Sequence, residues 1–217
     1  MIWLRRMGMV VGILTLAYVA FADHGGHAPR FRENPPFDRA RNERGSGNAE
    51  AGVLAEKAAR AKAFVSSHGF NQDFCFLVDM HLPSGKNRFF VYDLHKDSIL
   101  LSGMVAHGGG GDLFAATPRF SNLNGSNCTA LGRYRIGHPY QGRFGMAYKL
   151  YGLDTTNDQA FARNIVLHSY WLVPEKETWP VPICNSRGCP MVSAAFLKNL
   201  QPFIDQSRRP VCLWIFD

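Results

Sequence analysis

The sequence predicts a mainly β protein, a sandwich or barrel, led by one amphipathic helix, and three observations carry this. Short apolar runs recur between residues 74 and 216, bounded by clusters of Gly, Pro, Ser and Asn, the composition of strands joined by turns. Only two stretches show helical periodicity. The 217 residues are 46% hydrophobic and 19% charged, which is enough apolar material for a real core and excludes disordered and collagen-like classes.

Taken in order, Arg5 and Arg6 precede the uncharged run Met7–Phe21, which ends on Ala20-Phe21-Ala22, the small-x-small pattern of signal-peptide cleavage. The run is shorter than the ~20 apolar residues of a membrane span. Residues 1–22 are therefore expected to be a cleaved signal peptide, with the mature protein in the periplasm and no stable membrane span. Residues 23–48 hold no Val, Ile, Leu or Met but contain Pro29, Pro35, Pro36 and interleaved charges, and they are expected to be a flexible linker. Helical periodicity sets in at Asn48. Leu54, Ala58, Ala61 and Val65 recur at i, i+4, i+7 and i+11, and Gly69 follows as a stop, so a helix within 49–70 packs one face on the domain after it. Residues 71–217 form that domain. Strands are expected at 74–80, 89–94, 99–105, 132–136, 146–151, 164–169 and 211–216, and a second helix at 193–200, stopped or kinked by Pro202.

The formal charge of +7 admits nucleic acid, a membrane surface or an acidic polymer as partner. Lys and Arg are dispersed, with no basic helix and no aromatic RNA signature, so no nucleic acid is expected. The segment His107-Gly108-Gly109-Gly110-Gly111-Asp112 lacks the trailing Gly-Lys-Ser/Thr of a phosphate loop. No histidine pair has the zinc-peptidase helical spacing, and Cys184 and Cys189 are not a Cys-x-x-Cys knuckle, so neither metal nor cofactor is expected.

Five cysteines are an odd number. In an oxidising compartment Cys75, Cys128, Cys184 and Cys212 can pair and leave Cys189 over, although parity does not decide which thiol stays free. The setting of Cys189 is Ser186-Arg187-Gly188-Cys189-Pro190, with an arginine beside it and a helix beginning a few residues later. Both features predict a lowered thiol pKa, and the turn can aim backbone N–H groups at a developing oxyanion. A Cys184–Cys189 disulfide is the competing reading. A thiolate nucleophile needs a base, and His168 ends an apolar strand upstream of it. The connection between them, with Tyr170, Trp171 and Trp179, is expected to be a flap over the site.

Several further segments carry a family resemblance. They are Phe90-Val91-Tyr92-Asp93-Leu94, Val105-Ala106-His107-Gly108, Phe120-Ser121-Asn122, Gly125-Ser126 and Thr129-Ala130-Leu131-Gly132-Arg133-Tyr134. After them come Leu150-Tyr151-Gly152-Leu153-Asp154, Asn157, Arg163, Ile165-Val166-Leu167-His168-Ser169 and the Ser186–Pro190 motif. In this order, over residues 88–217, they resemble the L,D-transpeptidases of bacterial cell-wall synthesis (YkuD type), in particular the murein L,D-transpeptidase catalytic domains. The resemblance implies a β-sandwich-like catalytic domain with Cys189 as nucleophile and His168 as base. It also implies that the Ser169 carbonyl orients the imidazole and that the Gly188 and Cys189 N–H groups hold the oxyanion. Arg187, His107, Ser186 and Tyr134 lie in its motifs and are expected to contact substrate. Two positions depart from the family pattern: Arg187 stands where many members have a second histidine, and Met191 where they have Asn or Arg. The implied substrate is the peptidoglycan stem peptide, acylated through a Cys189 thioester and transferred to an amine acceptor by a monomer. The alternatives are a carboxypeptidase or hydrolase of the same stems, or a non-catalytic, disulfide-bonded wall-binding module.

Overall fold

The computed structural model describes residues 39–217, and the expected signal peptide and residues 23–38 of the expected linker lie outside the described residues. Helix α1 spans Arg39–Ser67, so residues 39–48 are helical rather than part of a linker. The run Arg39-Ala40-Arg41-Asn42-Glu43-Arg44 is rich in straight-chain helix formers, and an interior glycine such as Gly45 costs a helix only about 1 kcal/mol. Among the described residues no helix is long and apolar enough to cross a membrane.

The strands are β1 (Phe74–Asp79), β2 (Phe89–Asp93), β3 (Ser98–Gly103), β4 (Gly132–Gly142), β5 (Gly145–Gly152), β6 (Val166–Ser169), β7 (Met191–Val192) and β8 (Cys212–Phe216). The mainly β class holds. All eight strands join in one mixed sheet, ordered β3-β2-β1-β8-β4-β5-β6-β7, in which β1–β8 and β6–β7 are parallel pairs. The two-residue β7 went unrecognised in the sequence because it is too short to show a period. Pro139 sits where the β4–β5 register shifts, a position at which a missing N–H is tolerated.

The period of two explains how the central strands are buried on both sides. Phe76, Val78, Phe89, Val91, Leu213 and Ile215 face one core, while Cys75, Leu77, Phe90, Tyr92, Cys212 and Phe216 face the other. Leu54, Ala58, Ala61 and Val65 of α1 cover the second face. The first is filled by α2 (Ala194–Asp205) through Phe196, Leu197 and Leu200. Ser193 caps α2, its Oγ accepting from the Phe196 N–H at 3.1 Å. Helix α2 runs through Pro202 to Asp205, so the proline does not end it: its missing N–H falls on the exposed side of the last turn.

A guanidinium is enclosed in this core. Arg88, 1% exposed, donates to Val105 O from Nε (3.0 Å) and Nη2 (2.8 Å), to Leu82 O from Nη1 (3.0 Å), and to His107 Nδ1 from Nη2 (3.0 Å). Burial pulls it down to about 10, so it stays protonated at neutral pH.

Candidate active site

Parallel pairing of β6 with β7 sets His168 opposite Met191, and Cys189 therefore stands two residues before the partner of His168. Leu167 points into the main core, so His168 and Val166 project from the other face of β6, beside Ala147 and Lys149 of β5. The His168 Nδ1 lies 2.9 Å from Ser169 O. A carbonyl only accepts, so Nδ1 carries the hydrogen and Nε2 is left with its lone pair for proton transfer. Burial lowers the imidazole pKa, and the Ser169 carbonyl partly offsets this.

Cys189 is half-buried, packed where the main core meets a smaller cluster of Met104, Ala106, Ile183, Cys184 and Met191. Its Sγ is 3.8 Å from Asn164 O and faces the Val166 N–H. Burial pushes this thiol up, against smaller opposing effects of Val166 N–H, Arg163 and Lys149. This corrects the expectation of a lowered pKa. β7 separates Cys189 from α2, which starts at Ala194 and is capped by Ser193, and Arg187 is turned to solvent. At rest the pair is a thiol and a neutral imidazole. All five cysteines are free thiols, including Cys184 and Cys189.

Four further expectations change. The Gly188 N–H donates to Ser186 Oγ at 3.1 Å and is not free for an oxyanion. The Cys189 N–H makes no hydrogen bond among the described residues. Ser186, expected to touch substrate, is buried and committed internally: its N–H donates to His107 O (2.7 Å) and its carbonyl accepts from the Gly109 N–H (3.2 Å). His107 is fully buried, with Nδ1 accepting from Arg88, and Tyr134 is a core residue, 1% exposed, whose OH donates to Ala130 O at 2.6 Å. Neither can reach a ligand. Arg187 is exposed and remains available.

The connection from His168 to Cys189 is not a free flap. The Thr178 and Trp179 N–H groups both donate to Gly85 O (2.9 and 3.1 Å), and the Asn87 N–H donates to Glu177 Oε1 (2.8 Å), pinning it to the β1–β2 turn. Gly85 permits this approach, since a Cβ there would lie 2.3 Å from Val181 O. Among the described residues no three His, Cys, Asp or Glu side chains group as a metal site.

The L,D-transpeptidase catalytic domain profile matches residues 47–215. The chain belongs to this family. No curated protein matches it. Among solved structures, the helical cell shape determining protein Pgp2 from Campylobacter jejuni (K307A mutant) aligns at 14% identity and a TM-score of 0.44, over 69% of this chain and 49% of its own. The Ldtfm-avibactam carbamoyl enzyme aligns at 12% identity and 0.42, over 68% and 50%. An L,D-transpeptidase (residues 123–326) from Xylanimonas cellulosilytica aligns at 11% and 0.38, over 66% and 60%. The chain thus spans about half the length of the first two.

Two residues at the candidate site of this L,D-transpeptidase family member were not found by sequence reasoning. Phe144, at the β4–β5 hairpin tip, stacks on the His168 ring with centroids 5.2 Å apart and planes at 15°, and meets Tyr170 edge-on at 5.4 Å. No local pattern links a hairpin tip to a strand-end histidine. The second is Asn164. Its backbone sits at φ 56° and its Oδ1 accepts from Lys149 Nζ at 2.8 Å, which turns its carbonyl toward the sulfur.

Proposed function

We infer that the protein is an exported L,D-transpeptidase that cross-links peptidoglycan stem peptides through a Cys189 thioester. The observation that carries this reading is the placement of Cys189 two residues before the β7 partner of His168, a histidine whose Nδ1–H is held by the Ser169 carbonyl, leaving Nε2 for proton transfer. With the thiol pKa raised and the imidazole pKa lowered, a standing ion pair is disfavoured, so the proton moves at the moment of attack.

His168 Nε2 takes the thiol proton as Sγ bonds to the carbonyl carbon of the third stem residue. The Cys189 N–H stabilises the oxyanion. As the intermediate collapses, the C–N bond to the terminal D-alanine breaks and His168 returns the proton to the leaving amine. An acceptor amine, the side chain of a second stem's diamino acid, then attacks the thioester. His168 takes its proton, the C–S bond breaks, and the proton goes back to sulfur. Phe144, Tyr170 and the 79% exposed Trp171 form an apolar rim that restricts water during the thioester's lifetime. Arg187 meets the carboxylates of the stem.

The test is incubation of purified protein with tetrapeptide muropeptides, followed by mass spectrometry. Expected are a Cys189 acyl adduct, released D-alanine and cross-linked dimers, all lost in Cys189→Ala. Wild type that leaves the substrate as untouched as Cys189→Ala refutes the reading, and tripeptide without dimer assigns hydrolysis in place of transfer.

A further inference from the structure

We propose that Arg163 is a positioning residue for Cys189, holding the 121–128 segment against the nucleophile turn while its fixed positive charge sustains the thiolate as it forms. The proposal rests on the reading of Cys189 as nucleophile. Its basis is the way Arg163 is spent. Nη1 donates to Ser121 O at 2.8 Å, and Nη2 donates to Cys128 O at 2.6 Å and to Ser126 Oγ at 3.3 Å. A guanidinium has five N–H donors in a planar fork, and here both terminal nitrogens are engaged by one loop. The fork is therefore turned to the protein's own loop and not presented to the carboxylates of a substrate.

The same guanidinium abuts the turn that carries the thiol. Gly188 has φ 111°, and a Cβ on it would lie 2.9 Å from Cys128 O and 3.3 Å from Arg163 Nη2. Glycine is required there both for the backbone angle and to let the turn lie on the Arg163–Cys128 contact. One and three residues after Arg163, Asn164 O and the Val166 N–H meet the sulfur. One short segment, 163–166, thus supplies a cation, an acceptor and a donor around a single thiol.

Other ionisable groups face Cys189 from each neighbouring element. Tyr134 and Tyr140 come from β4, Lys149 from β5 and His168 from β6, and Arg187 is on its own turn. Lys149 is tethered to Asn164, the tyrosines are neutral at working pH, and Arg187 points outward. Arg163 is the cation packed against the turn, and ahead of Lys149 it opposes the burial that raises the thiol.

The experiment is the pH dependence of iodoacetamide alkylation, followed on the Cys189 peptide by mass mapping, which needs no substrate. Arg163→Gln is expected to raise the alkylation midpoint by about one pH unit, and so to slow alkylation near pH 7.5 by about tenfold. Arg163→Lys keeps the charge and loses the fork. It is expected to keep the midpoint within about 0.3 units while melting at lower temperature. Ser126→Ala removes one bond to the fork and leaves the charge, so its midpoint stays with the wild type.

An unchanged midpoint in a folded Arg163→Gln overturns the proposal. A midpoint in Arg163→Lys that rises by a full unit also overturns it, and this second result stands even if the glutamine variant does not fold. Wild type that alkylates as expected but ignores muropeptides sinks the transpeptidase reading and leaves the electrostatic one intact.

Discussion

His107 makes the stability of this domain depend on acid in a way that can be calculated. Its Nδ1 faces Arg88, which can only donate, so the imidazole is held neutral with its hydrogen on Nε2. That hydrogen makes no hydrogen bond of good geometry. Burial and the adjacent guanidinium pull the pKa down to about 4, and the nearby Ala115 carbonyl offsets this shift only in part. In the unfolded chain a histidine titrates near ~6.5. Above that value neither state binds the proton and the full stability is present. As pH falls, the unfolded chain takes up a proton that the folded protein refuses, and stability declines until pH passes the folded value. A gap of roughly 2.5 units is worth about 3 kcal/mol, lost between about pH 6.5 and 4.

The matching variant is His107→Asn, whose side-chain oxygen can take the place of Nδ1 as acceptor for Arg88 but cannot be protonated in this range. It is expected to be less stable at every pH because it leaves space in the core. Its stability should, however, fall less steeply with acid. Urea unfolding at several pH values between 7 and 4.5, on both proteins, reads this as a difference in slope. His168, whose pKa is also lowered by burial, contributes to both proteins equally and cancels. Parallel curves for the two proteins would refute the assignment of the acid sensitivity to His107.

Two other outcomes follow from the site. Tyr134→Phe removes the hydrogen bond to Ala130 O and should cost about 1 kcal/mol in unfolding experiments while leaving kcat and KM alone; a raised KM would return Tyr134 to the substrate site. Phe144→Ala uncovers one face of the His168 ring, so the imidazole pKa should rise toward its ordinary value and the acid limb of the pH–rate profile should move to higher pH. NMR titration of the His168 ring checks the same shift directly, and an unmoved pKa would show that Phe144 does not shield the base.

What could be read in the sequence was what depends on local periodicity. The i, i+4, i+7, i+11 spacing of Leu54, Ala58, Ala61 and Val65 is the face that α1 buries, because helical geometry alone puts those residues together. Strands β1, β2 and β8 were visible as continuous apolar runs because both of their faces are covered. Of the candidate site, the residue order was legible: His168 lies on β6, Cys189 lies two residues before the β7 partner of His168, and Ser169 O meets the imidazole. What stayed hidden depends on partners distant in the chain. Arg88 reads as one more surface cation until Val105, Leu82 and His107 are seen to enclose it. Tyr134 and Ser186 carry polar groups that suggest contact with a ligand, yet each spends them on a backbone atom of this chain. The thiol pKa went the wrong way because the sequence shows an arginine beside Cys189 but not that it points outward, nor how deeply the sulfur is covered.

The place of β8 in the sheet bears on how this protein is made and handled. β8 bonds to β1 on one side and to β4 on the other, so within the strand order of the sheet β1–β3 and β4–β7 are joined through it. Neither group can close into the finished sheet before residues 212–216 arrive. Assembly is therefore late, cooperative and dominated by contacts far apart in sequence, which slows it. A truncation before Cys212 would open two long strand edges in the middle of the molecule, an invitation to pair with other chains. The same logic advises against a bulky fusion close behind Phe216, whose carbonyl already accepts from the Met80 N–H at 2.7 Å.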